Sequence, residues 1–216
     1  MGAPLPPHGG QPIETRGRPL GEGRVALIMI HGRNAAPKNI LDLVPALRHP
    51  EVTYVAPAAA GGTWYPTSFL SPIEQNEPGI SSGISVVHSL IEKAIAGGVP
   101  AERIVLLGFS QGACLAATAA HRRPARYGGL IVCSGGLIGP PGTRWSEDGT
   151  FAQTPVFLEC SDLDAHVPEE RVRASAAVFE RMGAAVTTRI VPGMGHVVND
   201  DEIAFTGELL EALAAG

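Results

Sequence analysis

Residues 103–120 read RIVLLGFSQGACLAATAA, and this stretch predicts a strand that turns directly into a helix. Its apolar, β-branched start is typical of a fully buried strand, and its alanine-rich end has strong helix propensity. Between them, Gly108, Ser110 and Gly112 form the G-x-S-x-G pattern of a nucleophile elbow. A glycine on either side lacks the Cβ atom that would clash where the chain turns so sharply. We therefore expect Ser110 at the tip of the turn, as the candidate nucleophile.

The same pattern occurs a second time, in residues 79–83. This match follows the dipeptide Glu-Pro at 77–78 instead of an apolar strand, so the mechanical reason for an elbow is missing there. Ser81 and Ser82 fit better as caps of the helix that follows. Ser110 is then the one serine with a strand, a turn and a helix in the required order.

The length and composition suit one domain with an acidic balance. Of the 216 residues, 44% are hydrophobic and 17% are charged, which is ample for a sizeable core. The net charge of -5 and the lack of a basic patch with interleaved aromatics argue against a nucleic-acid partner. No apolar run reaches transmembrane length, so we expect no stable membrane insertion.

The three cysteines, Cys114, Cys133 and Cys160, lie in or beside apolar segments and lack a C-x-x-C spacing. This usage predicts buried free thiols in a reducing compartment. The N-terminus also lacks the charged region and apolar block of a secretory signal. We therefore expect a cytoplasmic protein. The serine nucleophile predicted at Ser110 needs no metal and no cofactor.

The order of apolar runs along the chain predicts the fold class. Residues 1–23 are rich in proline and glycine and predict an N-terminal arm or an edge hairpin, and residues 24–216 predict a single domain. In that domain, apolar runs alternate with segments of helical spacing, which indicates a mostly parallel sheet covered by helices on both faces. In such a sheet, reactive side chains gather at the carboxyl ends of the strands. The predicted strands are residues 25–30, 52–56, 104–107, 130–133, 155–160 and 186–191, and the predicted helices begin near Pro37 and span 81–96, 111–120, 168–182 and 200–214.

A serine nucleophile needs a base, and three histidines follow Ser110 in the chain. His121 falls at the end of the helix after the elbow and is interpreted as a solvated helix end. His166 lies in the loop after the strand at 155–160. His196 lies directly after the last strand and before the last helix, which is the usual place for the base of an elbow enzyme. We select His196.

The carboxylate that orients the base should lie between the nucleophile and the histidine in the chain. Glu159, Asp162 and Asp164 are the candidates. Glu159 lies within a predicted strand, where its side chain can point away from the site. Asp162 and Asp164 share one loop, so spacing alone leaves both open, and the other aspartate would serve as a turn or capping group.

An oxyanion hole needs two backbone N–H groups, one of which normally belongs to the residue after the nucleophile. That residue is Gln111, and the second donor should come from the loop after the first central strand, where we select Arg33. The preceding Gly32 allows the close backbone approach that this role requires. His31 is interpreted as structural, because His196 already fills the role of the base.

A long loop, residues 57–78, follows the second central strand and contains Trp64, Tyr65 and Phe69. An irregular connection of this length is uncommon in a compact domain unless it has a binding role. We predict that these aromatics, together with Met194, form an apolar wall of a substrate pocket. Ordinary packing beneath a long loop is the alternative.

Four motifs together resemble the phospholipase/carboxylesterase family of α/β-hydrolases, which includes small bacterial carboxylesterases and acyl-protein thioesterases. They are IHGR at 30–33, GFSQGA at 108–113, DLDAHVP at 162–168 and GMGH at 193–196. The resemblance implies the α/β-hydrolase fold without a large cap domain. It also implies a triad of Ser110, Asp164 and His196, which selects Asp164 over Asp162.

The resemblance implies a serine hydrolase of small carboxylic esters with short to medium acyl groups. A thioesterase or lysophospholipase using the same triad is the alternative, and a non-catalytic relative that only binds a small molecule is a third. Arg33 and Asn34 stand where the thioesterases commonly have Leu-Gly, which disfavours a lipidated-protein substrate and predicts a preference for an acidic or strongly polar group. The sequence leaves a homodimer open.

Overall fold

The structure is a computed structural model and describes residues 3–216. A seven-stranded sheet in the order β1-β3-β2-β4-β5-β6-β7 forms its centre. All neighbouring pairs are parallel except β1 and β3, which are antiparallel. The strands are β1 (Ile13–Gly17), β2 (Val25–Ile30), β3 (Val52–Pro57), β4 (Ile104–Phe109), β5 (Gly129–Cys133), β6 (Pro155–Ser161) and β7 (Ala185–Val191).

Helices cover both faces of this sheet. They are α1 (Pro37–Leu41), α2 (Val44–Leu47), α3 (Gly79–Ala96), α4 (Gln111–Arg122), α5 (Glu169–Arg181) and α6 (Asp200–Ala215). Successive side chains of a strand point to opposite faces, so Ala26, Ile28 and Ile30 join the core beneath α3, α4 and α5. The alternate residues of β2 join the second core, beneath α1, α2 and α6. The predicted α/β-hydrolase architecture with a mostly parallel sheet is confirmed, and no cap domain covers it within residues 3–216.

The structure corrects two of the predicted helices. The helix predicted from residue 81 begins at Gly79, so Ser81 and Ser82 are not its caps; the Glu77 carboxylate instead accepts hydrogen bonds from the backbone N–H and hydroxyl of Ser81. The helix predicted from Pro37 is two short helices, α1 and α2. Pro45, near the start of α2, has no N–H to continue the hydrogen-bond pattern of α1.

The N-terminal segment lies at one edge of the sheet. Strand β1 pairs with β3 and not with β2, its neighbour in sequence, so these two strands do not form a hairpin. Residues before β1 pack on helix α3, where the Ser82 hydroxyl donates to the Leu5 carbonyl and accepts from the His8 N–H. Residues 1 and 2 of the predicted arm lie outside the described residues. In the described chain, no helix is long and apolar enough to cross a membrane.

Candidate active site

The turn between β4 and α4 is as sharp as the sequence predicts. Ser110 has φ 56° and ψ -120°, an unusual conformation for a residue with a side chain. A Cβ at Gly108 would lie 2.3 Å from the Gly112 carbonyl oxygen, and one at Gly112 would lie 2.1 Å from the Ile30 carbonyl oxygen. Both glycines are therefore required for β4, β2 and α4 to meet at this point.

Three side chains from separate loops form a hydrogen-bonded chain at the carboxyl ends of the parallel strands. His196 Nε2 lies 2.7 Å from Ser110 Oγ, and His196 Nδ1 lies 2.7 Å from Asp164 Oδ2. The loop after β6 carries Asp164, and the loop between β7 and α6 carries His196. A neutral imidazole in this arrangement can accept the serine proton at Nε2 while its Nδ1–H donates to the carboxylate.

The two aspartates of the loop after β6 are distinguished by what they contact. The Asp164 side chain is fully buried, and its Oδ1 accepts from the N–H groups of His166 and Val167 at 2.8 and 3.0 Å. Burial opposes its ionisation, but the hydrogen bonds from His196 and from these two N–H groups outweigh burial and lower its pKa. Among the described residues, Asp162 has no hydrogen bond to the imidazole; its Oδ1 accepts from Gly193 N–H at 2.8 Å, which anchors the loop that carries His196.

The backbone N–H groups of Arg33 and Gln111 have the surroundings that an oxyanion hole requires. Gln111 is the first residue of α4, where an N–H has no partner within the helix. Neither N–H donates a hydrogen bond to any residue in the range 3–216, and both residues line the same cavity as Ser110. The Gln111 side chain holds the opposite wall in place, since Oε1 accepts from Trp64 N–H and Nε2 donates to the Tyr65 carbonyl.

The cavity above Ser110 has a volume of about 960 Å³, which is within the usual range for a small-molecule site. Tyr65 and Phe69 line it, as the sequence predicts. Trp64 and Met194 do not. The Trp64 side chain is fully buried and donates from Nε1 to the His31 carbonyl, and Met194 Sδ lies 3.0 Å from Asn199 Nδ2 in the loop behind His196.

Two aromatic rings that the sequence did not assign to the site lie beside the imidazole. The ring of Phe109, the second residue of the G-x-S-x-G pattern, lies 4.9 Å from the His196 ring. The ring of His166 lies 5.1 Å from it on another side, in an edge-on arrangement. Both residues line the cavity. The position of Phe109 next to the candidate nucleophile was the signal that could have identified it.

His31 and His8 support the cavity wall from behind. His31 Nε2 accepts from Ala59 N–H, and His8 Nδ1 accepts from Ala60 N–H. Their rings pack on Trp64 at 5.1 Å each. Burial lowers the pKa of both imidazoles, which favours the neutral form that can accept these hydrogen bonds. His31 thus has structural contacts, whereas His8 gave no signal in the sequence.

A second carboxylate cluster lies behind the loop that carries His196. Glu159 and Glu202 are buried, and both contact Asn199, the residue that caps α6. Asn199 Nδ2 donates to Glu159 Oε1, and Asn199 N–H donates to Glu202 Oε2. Burial raises the pKa of both carboxyls, that of Glu202 to about 7. Glu159 points into this cluster, and Asp164 takes the position beside the imidazole.

His121 and the three cysteines lie outside the hydrogen-bonded chain of Ser110, His196 and Asp164. His121 belongs to helix α4 and contacts the Ser146 carbonyl through Nε2, at 2.7 Å. The three cysteines are buried free thiols. Burial raises the pKa of Cys114, which lines the cavity, to about 11. Among residues 3–216, no group of three or more His, Cys, Asp or Glu side chains is arranged to hold a metal ion.

Known proteins resemble this chain over most of its length. A crystal structure of a phospholipase/carboxylesterase from Dyadobacter fermentans is 36% identical, covers 98% of this chain and 99% of its own, and superimposes with a TM-score of 0.88. The acyl-protein thioesterase 1 of Eremothecium gossypii is 34% identical over 67% of this chain. A probable carboxylesterase of Oryza sativa subsp. japonica is 31% identical over 64% of this chain.

The alignments to these two curated relatives span 64% and 51% of the relatives' own lengths. The sequence profile of the phospholipase/carboxylesterase family covers more of the chain and matches residues 19–214. That range contains the elbow, both aspartates and the histidine described above. The chain therefore belongs to the phospholipase/carboxylesterase family of α/β-hydrolases.

Proposed function

We propose that the protein is a serine hydrolase of small carboxylic esters, in which Ser110, His196 and Asp164 are the catalytic residues. The observation that carries the proposal is the unbroken hydrogen-bond chain from Ser110 Oγ through the imidazole to the buried Asp164 carboxylate. Family membership and the names of the relatives support an ester or thioester as substrate.

The reaction proceeds through an acyl-enzyme in two half-reactions. Ser110 Oγ attacks the ester carbonyl carbon while His196 Nε2 takes the hydroxyl proton. The N–H groups of Arg33 and Gln111 stabilise the oxyanion, and His196 then protonates the alcohol as the C–O bond breaks. A water molecule attacks the acyl-enzyme with His196 again as base. The carboxylic acid leaves and Ser110 regains its proton.

The buried Asp164 acts on the imidazole and not on the substrate. Its low pKa keeps it ionised at neutral pH, so it holds Nδ1–H and stabilises the imidazolium that forms when Ser110 loses its proton. The aromatic wall of Tyr65 and Phe69 contacts the substrate. The buried cysteine thiols support an intracellular, reducing compartment, the cytoplasm, as the site of action.

A panel of alkyl esters from acetyl to dodecanoyl, run on the wild type and on Ser110→Ala, tests this function. We expect measurable turnover on short and medium esters and a loss of about 10⁶-fold in kcat in the variant, the size found for other serine triads. A Ser110→Ala protein that keeps most of its turnover would contradict the proposed nucleophile.

The thioesterase and lysophospholipase alternatives use the same residues, and the acyl-protein thioesterase relative gives them support. Thioesters and lysophospholipids of matched acyl chain length separate them from simple esters by kcat/KM. The third alternative, a relative that binds a small molecule without turning it over, predicts that a fluorophosphonate fails to label Ser110. We expect labelling in the wild type and none in Ser110→Ala.

A further inference from the structure

We propose that this esterase prefers substrates with a carboxylate close to the scissile ester, and that the Arg33 guanidinium is its counter-charge. The inference rests on the proposed esterase function and names the chemical class of its substrate. It assigns a role to the Arg33 side chain that is separate from the role of the Arg33 backbone N–H.

The cavity has a positive side chain and no negative one among the residues that line it. Arg33 is the one lysine or arginine among the residues that line it, and none of those residues is an aspartate or a glutamate. Asp164 is buried beneath His196, with both carboxylate oxygens occupied by hydrogen bonds. A substrate that enters therefore meets one fixed positive charge and no lining carboxylate, which favours an anionic ligand.

The Arg33 guanidinium is held in place by backbone carbonyls and keeps free N–H donors. Nη1 donates to the Pro66 carbonyl at 2.8 Å and Nη2 to the Thr67 carbonyl at 2.5 Å, and the group lies 5.9 Å from the centre of the Tyr65 ring. These contacts fix its position at the cavity wall but use only two of the five N–H donors of an arginine. In residues 3–216, Arg33 forms no ion pair, so its charge is not neutralised by the protein.

The position of Arg33 in the chain places its guanidinium close to the proposed oxyanion hole. Its own N–H is one of the two proposed oxyanion donors, so the guanidinium lies within one side-chain length of the reacting carbonyl oxygen. A carboxylate a few bonds from that carbonyl can accept the remaining N–H donors in a charge-assisted hydrogen bond. Half-esters of short dicarboxylic acids and acyl esters of short hydroxy acids have this spacing.

Two matched substrate pairs test the proposal by release of alcohol or acid. Monoethyl succinate is compared with ethyl succinamate, and O-acetylglycolate with O-acetylglycolamide, so that each pair differs in charge and hardly in shape. We expect the wild type to prefer the anion by about 10-fold or more in kcat/KM in at least one pair. The pair that responds identifies whether the acyl or the alcohol part carries the carboxylate. Raising the salt concentration should reduce the preference.

The variants are Arg33→Gln, Arg33→Lys and, as a matched control, Arg173→Gln. Arg173 lies on α5, is exposed, and pairs with Glu169 at 2.6 Å. We expect Arg33→Gln to abolish the preference, Arg33→Lys to keep part of it, and Arg173→Gln to leave it unchanged. If Arg33 only braces the loop at 66–67, Arg33→Gln lowers both members of a pair equally, and this constant ratio would overturn the proposal.

The same measurements distinguish a failure of the proposed substrate class from a failure of the proposed esterase function. A wild type that hydrolyses the neutral esters but shows no preference in either pair overturns the substrate class and leaves the esterase intact. A wild type that hydrolyses none of the four compounds and none of the simple alkyl esters overturns both.

Discussion

Buried carboxyls lie on two sides of the loop that carries His196, Asp164 on one side and the pair Glu159 and Glu202 on the other, and their pKa values shift in opposite directions. Asp164 accepts hydrogen bonds from His196 and from two backbone N–H groups, and its pKa is lowered. On the other side, Glu159 Oε2 and Glu202 Oε1 have no hydrogen-bond partner among the described residues, and both pKa values are raised. All three carboxyl side chains are buried, and the hydrogen-bond donors around each of them decide whether its pKa is lowered or raised.

Asp164 has the surroundings of a carboxylate that takes part in the proposed chemistry, whereas Glu159 and Glu202 have structural contacts only. An orienting carboxylate must be ionised to stabilise an imidazolium, and the donors around Asp164 meet that condition. Burial and the neighbouring Glu159 carboxyl raise the pKa of Glu202, and they outweigh the hydrogen bonds from Asn199 and Cys133 that lower it. Substitutions at Asp164, Glu202 and Asn199, each with a control, test this contrast.

The largest effect is expected at the proposed orienting carboxylate. Asp164→Asn keeps the shape of the side chain but removes its charge and favours the wrong imidazole tautomer, so we expect kcat to fall by about 10⁴-fold. Steady-state kinetics on a short ester measure the effect.

Asp162→Asn is the matched control for this substitution. An asparagine oxygen can still accept the Gly193 N–H that Asp162 holds, so we expect kcat within a few-fold of the wild type. Equal losses in the two variants would contradict the assignment of different roles to the two aspartates.

The second effect concerns the dependence of stability on pH. The pKa of Glu202 rises from 4.5 to about 7 on folding, so folding takes up a proton in that interval. Its contribution to the free energy of unfolding is therefore fully present below pH 4.5 and is lost as the pH rises towards 7. Since one pH unit corresponds to about 1.4 kcal/mol, the loss over the whole titration is about 3–4 kcal/mol.

Denaturant unfolding at about pH 5 and about pH 8 measures this loss. Glu202→Gln cannot ionise, and its amide oxygen can still accept the Asn199 N–H, so we expect the difference in unfolding free energy between the two pH values to shrink by about 2–3 kcal/mol relative to the wild type. An unchanged difference would show that Glu202 is ionised throughout.

The smallest effect is expected at Asn199, which joins the glutamate cluster to the loop of His196. Its Oδ1 accepts from the N–H groups of Asp201 and Glu202, and its Nδ2 donates to Glu159. Asn199→Ala removes the cap and should lower the free energy of unfolding by about 1–2 kcal/mol.

Asn199→Ser separates the two roles of this side chain, because serine keeps a capping oxygen and lacks the amide donor. We expect it to recover most of the stability lost in Asn199→Ala, as thermal or denaturant unfolding would show. If serine recovers none, the bond to Glu159 and not the cap is the main contribution of Asn199.

The sequence predicts the sheet because local patterns determine most of its elements. The apolar runs at 25–30 and 104–107 lie within β2 and β4, and the glycines around Ser110 identify the turn between β4 and α4. It could not predict that β1 would pair with β3, because pairing along a sheet edge depends on contacts distant in sequence. The break between α1 and α2 had a local signal in Pro45, which the apolar spacing masked.

The candidate site was predictable where its residues belong to motifs, and less so where side chains are placed by packing. Ser110 and His196 follow from their positions after strands, whereas residue spacing alone left Asp162 and Asp164 open. The aromatic loop shows the limit: Tyr65 and Phe69 line the cavity, but Trp64, beside Tyr65, turns into the core. The side-chain contacts of Arg33 likewise depend on carbonyls more than thirty residues away, at 66 and 67.

Direct detection of the acyl-enzyme tests the central claim most directly. Wild-type protein mixed with an excess of an activated short-chain ester and quenched in acid within one turnover should gain the mass of one acyl group. Peptide mass spectrometry should locate that group on Ser110, and Ser110→Ala should gain none. Acylation at another residue, or rapid ester turnover by a protein that never carries the acyl group, would contradict the proposed mechanism.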